Sequence, residues 1–88
     1  MTKGEYRVGI NFNPSADDMV GKIKRAAADL IDLIETIPAT TRNDNTAGPA
    51  DTRSTEVARL KALAQTEIES AAMWAVKAAT KPAPEDGK

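Results

Sequence analysis

Three aromatic side chains and a few cations are the residues of this sequence that could do chemistry. Tyr6 and Phe12 stand near the N-terminus and Trp74 towards the other end; Arg7 follows Tyr6, Lys22, Lys24 and Arg25 are clustered, and Arg59, Lys61 and Lys77 come later. Lysine as a point charge and arginine as a planar fork suit phosphate, and an aromatic ring beside them suits a base. The chemistry on offer is therefore recognition of a nucleotide-like anion. Catalysis has little to stand on. With no histidine and no cysteine, the commonest general base, the thiolate nucleophile and the commonest zinc ligands are missing. Asp29, Asp32 and Glu35 recur every third residue as an ordinary solvated row, and no glycine-rich phosphate loop is present. The expectation is a non-enzyme with no cofactor and no metal.

Each of these residues also has a plainer reading. Lys22 and Arg25 share a helix face at i, i+3 while Lys24 points elsewhere, so a solvated surface explains the run as well as phosphate capture does. Arg59 follows Glu56 at i+3, the spacing of a surface ion pair. Phe12 just precedes a helix start, where a hydrophobic residue staples onto the first turn. Trp74 fits either an oligomer contact or a pocket wall. Tyr6, in a polar stretch without apolar periodicity, reads as facing a ligand.

The elements that must carry these groups follow from the pattern. Pro14 and Ser15 open a first helix, with Ser15 as cap and Asp18 completing a capping box. Val20, Ile23, Ala27, Leu30, Ile34 and Ile37 recur at spacings of three and four, one apolar stripe along about 33 Å of helix. Ile31 and Leu33 flank it, which leaves more apolar surface than one partner helix covers. Pro38 ends the helix. Residues 38–53 have loop chemistry, and a connection of this length is expected to be mobile. A second helix spans residues 54–80, with Val57, Leu60, Ala64, Ile68, Ala71, Ala75 and Ala79 on one side, and residues 81–88 form a flexible tail.

The fold class is thus all-α: a single domain with an N-terminal arm or short helix (residues 1–14) and an antiparallel hairpin of two long helices (residues 15–37 and 54–80). At 88 residues it is too small to bury much core alone, so assembly into a homo-oligomer is expected. The net charge of −1 lacks the broad positive field of a duplex nucleic acid binder. Residues 1–25 hold Lys3, Arg7, Lys22, Lys24 and Arg25 against Glu5, Asp17 and Asp18, whereas residues 26–56 hold six acids against Arg42 and Arg53. A local cluster of that kind suits a small anion. The apolar runs are far short of the roughly 20 residues that span a bilayer, and the N-terminus is unlike a signal peptide, which gives a cytoplasmic expectation and no membrane partner.

Four blocks, Gly4-Glu5-Tyr6-Arg7-Val8-Gly9, Phe12-Asn13-Pro14-Ser15, Ala27-Ala28-Asp29-Leu30-Ile31-Asp32 and the run from Ile68 to Lys81 containing Ala71-Ala72-Met73-Trp74-Ala75-Val76-Lys77, occur here in that order. In this order the chain resembles the phage anti-CBASS sponge proteins of the anti-CBASS protein two type. The resemblance implies a homohexamer of helical hairpins, acting in the cytoplasm of the infected bacterial host. Such an assembly sequesters cyclic di- and trinucleotides such as cyclic GMP-AMP without cleaving them. It implies that Tyr6 stacks on a base and that Lys22, or Lys24 if the register shifts, contacts phosphate. Trp74 lies in the most specific block, and Arg7 and Arg59 are the positions for a separate trinucleotide site. The rival expectation is a non-catalytic oligomeric adaptor that binds another protein.

Overall fold

The computed structural model describes residues 1–39 and 47–84, with residues 47–51 described by their backbone alone. Among the described residues there are three helices and no strand: α1 (Lys3–Val8), α2 (Asp18–Glu35) and α3 (Ala47–Ala79).

The N-terminal arm is a helix with a complete capping box. The Thr2 hydroxyl accepts the Glu5 amide proton at 3.0 Å, and the Glu5 carboxylate accepts that of Thr2 at 2.9 Å. Gly9 ends it in the left-handed region at φ 64°, and Ile10 N–H returns to the Glu5 carbonyl at 3.0 Å. Of the two expectations for residues 1–14, an arm or a short helix, the helix is what forms, and Gly9 is its stop signal.

α2 starts later than its sequence cue. Ser15 is not the cap; Asp17 is, its carboxylate accepting from the amides of Met19 at 2.8 Å and Val20 at 3.3 Å. The Asn13 side chain closes a turn around residues 13–17, bonding both the amide and the carbonyl of Asp17. Ala16 sits at φ 51° within that turn, which bars Ser15 from the helix entry. At the other end α2 stops before Pro38, and the Lys61 ammonium donates to the Glu35 carbonyl at 3.1 Å and the Ile37 carbonyl at 2.6 Å. Carbonyls at a helix C-terminus lack intrahelical partners, and a lysine from the neighbouring helix supplies them here.

α3 is longer than expected. Residues 47–53, assigned to the loop by composition, belong to the helix. Gly48 and Pro49 fall in its first turn, where a proline forfeits no helical hydrogen bond. Residues 40–46 of the expected loop and residues 85–88 of the expected tail lie outside the described residues.

The helices pack as a hairpin with α1 laid along it. Lys3 meets Glu35 and Gln65, Gly4 meets Asp32, Glu5 meets Arg25, and Arg7 meets Glu69. α1 therefore runs antiparallel to α2 and parallel to α3. A Cβ on Gly4 would lie 2.1 Å from the Ala28 carbonyl oxygen, so only glycine lets the two backbones approach this closely.

The buried apolar residues are Val20, Ala28, Ile31 and Ala72. This revises the expected stripe. Ile31, placed on its flank, is fully buried, while Leu30 and Ile37, placed within it, are exposed. α1 lies across the Lys24–Ala28–Ile31 side of α2 and shifts the buried face towards itself. On α3 the inward side holds Val57, Lys61, Ala64, Gln65, Ile68, Ala72, Ala75 and Val76, while Leu60, Ala71 and Ala79 are exposed. Met19, Ala26, Leu30 and Leu33 consequently form, with half-buried Ile23, an outward row on α2 at spacings of 4, 3, 4, 3.

Candidate ligand-binding site

Tyr6 is the most outward side chain of α1. Gly4, two residues earlier, faces α2, and two helical steps place Tyr6 on the opposite side. It is 77% exposed, and its ring and hydroxyl have no recorded partner among the described residues. Lys22 is also exposed and unpaired among the described residues. Its neighbours on α2 are committed: Arg25 bonds Glu5 of α1 at 2.8 Å and Asp29 at 2.8 Å. The Thr2 amide and then Arg25 hold the Glu5 carboxyl below its usual range, and Glu5 and Asp29 raise the Arg25 guanidinium above its own.

Lys24 has a different place. It is only 7% exposed, and its ammonium donates to the Gly9 carbonyl at 3.0 Å and to the Phe12 carbonyl. The same ammonium lies 5.3 Å from the centroid of the Phe12 ring. Lys24 thus holds the segment after α1 against α2. The expected staple of Phe12 is absent: the ring is 72% exposed, and its backbone, held by Lys24, makes the anchor.

Arg7 reaches across to α3, with its Nε 2.8 Å from a Glu69 carboxylate oxygen and an Nη2 contact of 3.3 Å to the Thr66 hydroxyl. Arg7, Val8, Lys24, Glu69, Ala72, Met73 and Val76 line a cleft of about 210 Å³ where all three helices meet. Two expected cations therefore come together. Trp74, next to Met73, is 65% exposed with the Lys77 ammonium 5.6 Å from its ring centroid. Arg59 stands apart: it forms a two-pronged pair with Glu56 at 2.5 and 3.1 Å, about 15 Å along α3 from Glu69 at the helical rise. Each partner of that pair strengthens the charge of the other, with Glu56 lowered and Arg59 raised.

Gln65, which the sequence reading passed over, is the hub of the other end. Only 2% exposed, it donates to the Ile31 carbonyl at 3.1 Å and to Glu35 at 3.0 Å, and its carbonyl accepts from Lys3 at 3.2 Å. Gln65 and then Lys3 draw the Glu35 carboxyl down to about 2. A glutamine lying between Ala64 and Ile68 in the inward row was the available signal. Among the described residues no group of three or more His, Cys, Asp or Glu could hold a metal ion, and no helix is long and apolar enough to cross a membrane.

The described residues thus form a short N-terminal helix strapped to a two-helix hairpin. The family model Acb2/Tad1, hairpin domain, matches residues 5–80. The chain belongs to the anti-CBASS protein 2/Tad1 family. The match of this hairpin family takes in all of α2 and α3 and the last four of the six residues of α1, with Tyr6, Lys22, Arg59 and Trp74 inside it. No curated protein and no solved structure matches the chain.

Proposed function

We propose that this chain is a phage anti-defence sponge: it binds cyclic di- and trinucleotide messengers and sequesters them without cleaving them, silencing the antiviral signalling they carry. Membership of the anti-CBASS protein 2/Tad1 family supports the anti-defence role. The observation that carries the ligand reading is the state of Tyr6 and Lys22. One is an aromatic ring presented to solvent from a helix that is itself well fixed, the other a cation with no intramolecular partner among the described residues. In this reading Tyr6 stacks on a base and Lys22 contacts phosphate. Trp74 and Arg7 offer further contacts, and Lys24 acts as a structural tie. Arg59 remains a position for a separate trinucleotide contact once its pair with Glu56 opens.

A cyclic dinucleotide such as cyclic GMP-AMP has two bases and two phosphates, and one chain offers one Tyr6 and one Lys22. Two chains sharing a pocket match it, so sequestration goes with assembly into a homo-oligomer, a hexamer by the family resemblance. The outward apolar row on α2 supports such assembly. Its site of action is the cytoplasm of the infected bacterium. No nucleophile, metal or cofactor is needed, because retention alone removes the messenger.

Titration calorimetry with a 3′,3′-linked cyclic dinucleotide, run on the native chain and on Tyr6→Ala, tests this. Tight binding that is lost in the variant, with the ligand recovered intact, is the expected result. Absence of heat and of thermal stabilisation with every cyclic di- and trinucleotide refutes it. That outcome favours the second reading, an oligomeric adaptor that docks another protein on the exposed Leu30, Leu33, Leu60 and Leu63.

A further inference from the structure

α1 differs from α2 and α3 in how it is held. Of its six residues only Gly4 is buried, so apolar burial contributes little to its attachment. Its fastenings are polar: Lys3 to Glu35 and Gln65, the Gly4 amide to Asp32, Glu5 to Arg25, and Arg7 to Glu69 and Thr66. Three of these join side chain to side chain, and among their members only Gln65 is buried. The exception is the contact of the Gly4 amide with the Asp32 carboxylate, at 2.7 Å, because it grips the α1 backbone itself. It is also charge-assisted, the stronger class of hydrogen bond. It operates only because the Gly4 backbone lies against Ala28, at a spacing where a Cβ would meet the Ala28 carbonyl oxygen at 2.1 Å and the Asp32 carboxylate at 2.8 Å.

We propose that Gly4 and Asp32 form a positioning seat for α1, and that they set ligand affinity by fixing the direction of Tyr6 although neither touches the ligand. The proposal rests on the sequestration reading above and adds to it two determinants that are remote from the bound base. The mechanism is geometric. Gly4 faces α2 and Tyr6 faces away from it, so a shift or roll of α1 at the seat moves the Tyr6 ring. A stacking contact needs a ring held in one place, since affinity falls when the binder must first be ordered. Alanine is the better helix former than glycine by about 1 kcal/mol. Gly4→Ala therefore disturbs the seat without weakening the intrinsic helicity of α1.

Tyr6 is the chain's one tyrosine, so incorporation of 3-fluorotyrosine yields a single fluorine resonance that reports its surroundings. Hydrogen exchange of the full-length chain, this fluorine signal and cyclic dinucleotide titration are compared for the native protein, Gly4→Ala, Asp32→Ala and Asp32→Asn. In Gly4→Ala and Asp32→Ala, the amides of residues 4–8 exchange about tenfold faster or more, the scale of one lost charge-assisted hydrogen bond. The fluorine line moves or broadens, α2 and α3 keep their protection, and affinity falls by a similar factor. Asp32→Asn, which retains an acceptor oxygen, restores most of all three readouts. Unchanged α1 exchange, or affinity that survives a loosened α1, overturns the proposal, as does loss of protection throughout the chain. If the native protein takes up no cyclic dinucleotide, the sequestration reading fails and the role in affinity fails with it, while exchange and fluorine data still decide whether the seat fixes α1.

Discussion

The buried ammonium of Lys24 lies 3.0 Å from the carbonyl oxygen of Gly9, the residue that ends α1. Lys22, two positions earlier on the same helix, is exposed and without an intramolecular partner among the described residues. These lysines resemble each other in sequence and differ in task. Lys24→Met leaves the Gly9 and Phe12 carbonyls without their donor and lowers stability by about 1–3 kcal/mol, read as a fall in Tm. Lys22→Ala changes stability by less than about 0.5 kcal/mol and weakens ligand binding. The reverse pattern would make Lys24 the phosphate contact.

Gln65→Ala removes the hub between α1, α2 and α3. Denaturant unfolding should show a loss of about 1–3 kcal/mol, and the Glu35 carboxyl should return towards its ordinary range, because Gln65 is the chief cause of its depression. A Gln65→Ala protein with native stability would show that the hub is dispensable.

Acid should loosen α1. The folded Glu35 carboxyl titrates near 2 against an ordinary 4.5, through its bonds to Gln65 and Lys3. A depressed folded pKa contributes stability that is complete above the unfolded value and disappears as pH falls through the folded one. The window is thus from about pH 4.5 down to about pH 2, and depression of Glu5 points the same way. The fluorine signal of a 3-fluorotyrosine at Tyr6 should shift through this window, and Glu35→Gln should flatten the response.

In the proposed assembly the outward row on α2 is where chains meet. A pair of substitutions, Leu30→Glu and Leu33→Glu, places charge on two exposed positions of that row. Light scattering should then fall to the 9.4 kDa of one chain, with helicity by circular dichroism retained. If the variant keeps the native mass, assembly uses another face.

Much of the architecture was legible because its signals are local. Pro38 and Pro82 mark helix ends, and the three-and-four spacing marks an amphipathic helix whichever face it buries. The centre of the buried face was not legible: Val20, Ile23, Ala27 and Ile34 turn inward as expected, but Leu30 and Ile37 do not. It depends on α1 crossing α2 at Gly4, a long-range contact that transferred burial from Leu30 to Ile31. The start of α2 was misread for a related reason: Ser15 has the type of a cap, but the Asn13 side chain and the backbone of Ala16 decide the turn. The capping box of α1 was readable in Thr2-Lys3-Gly4-Glu5, although arm and short helix were both left open there from sequence. Of the site residues, exposure of Tyr6 and Lys22 followed from their polar surroundings. The burial of Lys24 and Gln65 did not, since a polar residue enters a core only when another element brings it a partner.

The brevity of α1 has a consequence for how this protein can be dissected. Six helical residues are far below the length at which a helix holds its shape in water unaided, because nucleation costs more than so few hydrogen bonds return. Its conformation is therefore borrowed from the hairpin beneath it. A synthetic peptide containing Thr2 to Asn13, though it carries Tyr6, Arg7 and Phe12, is expected to be a disordered coil and a poor competitor for any ligand of the intact chain. Tyr6 holds its outward position only as part of a surface that three helices build together.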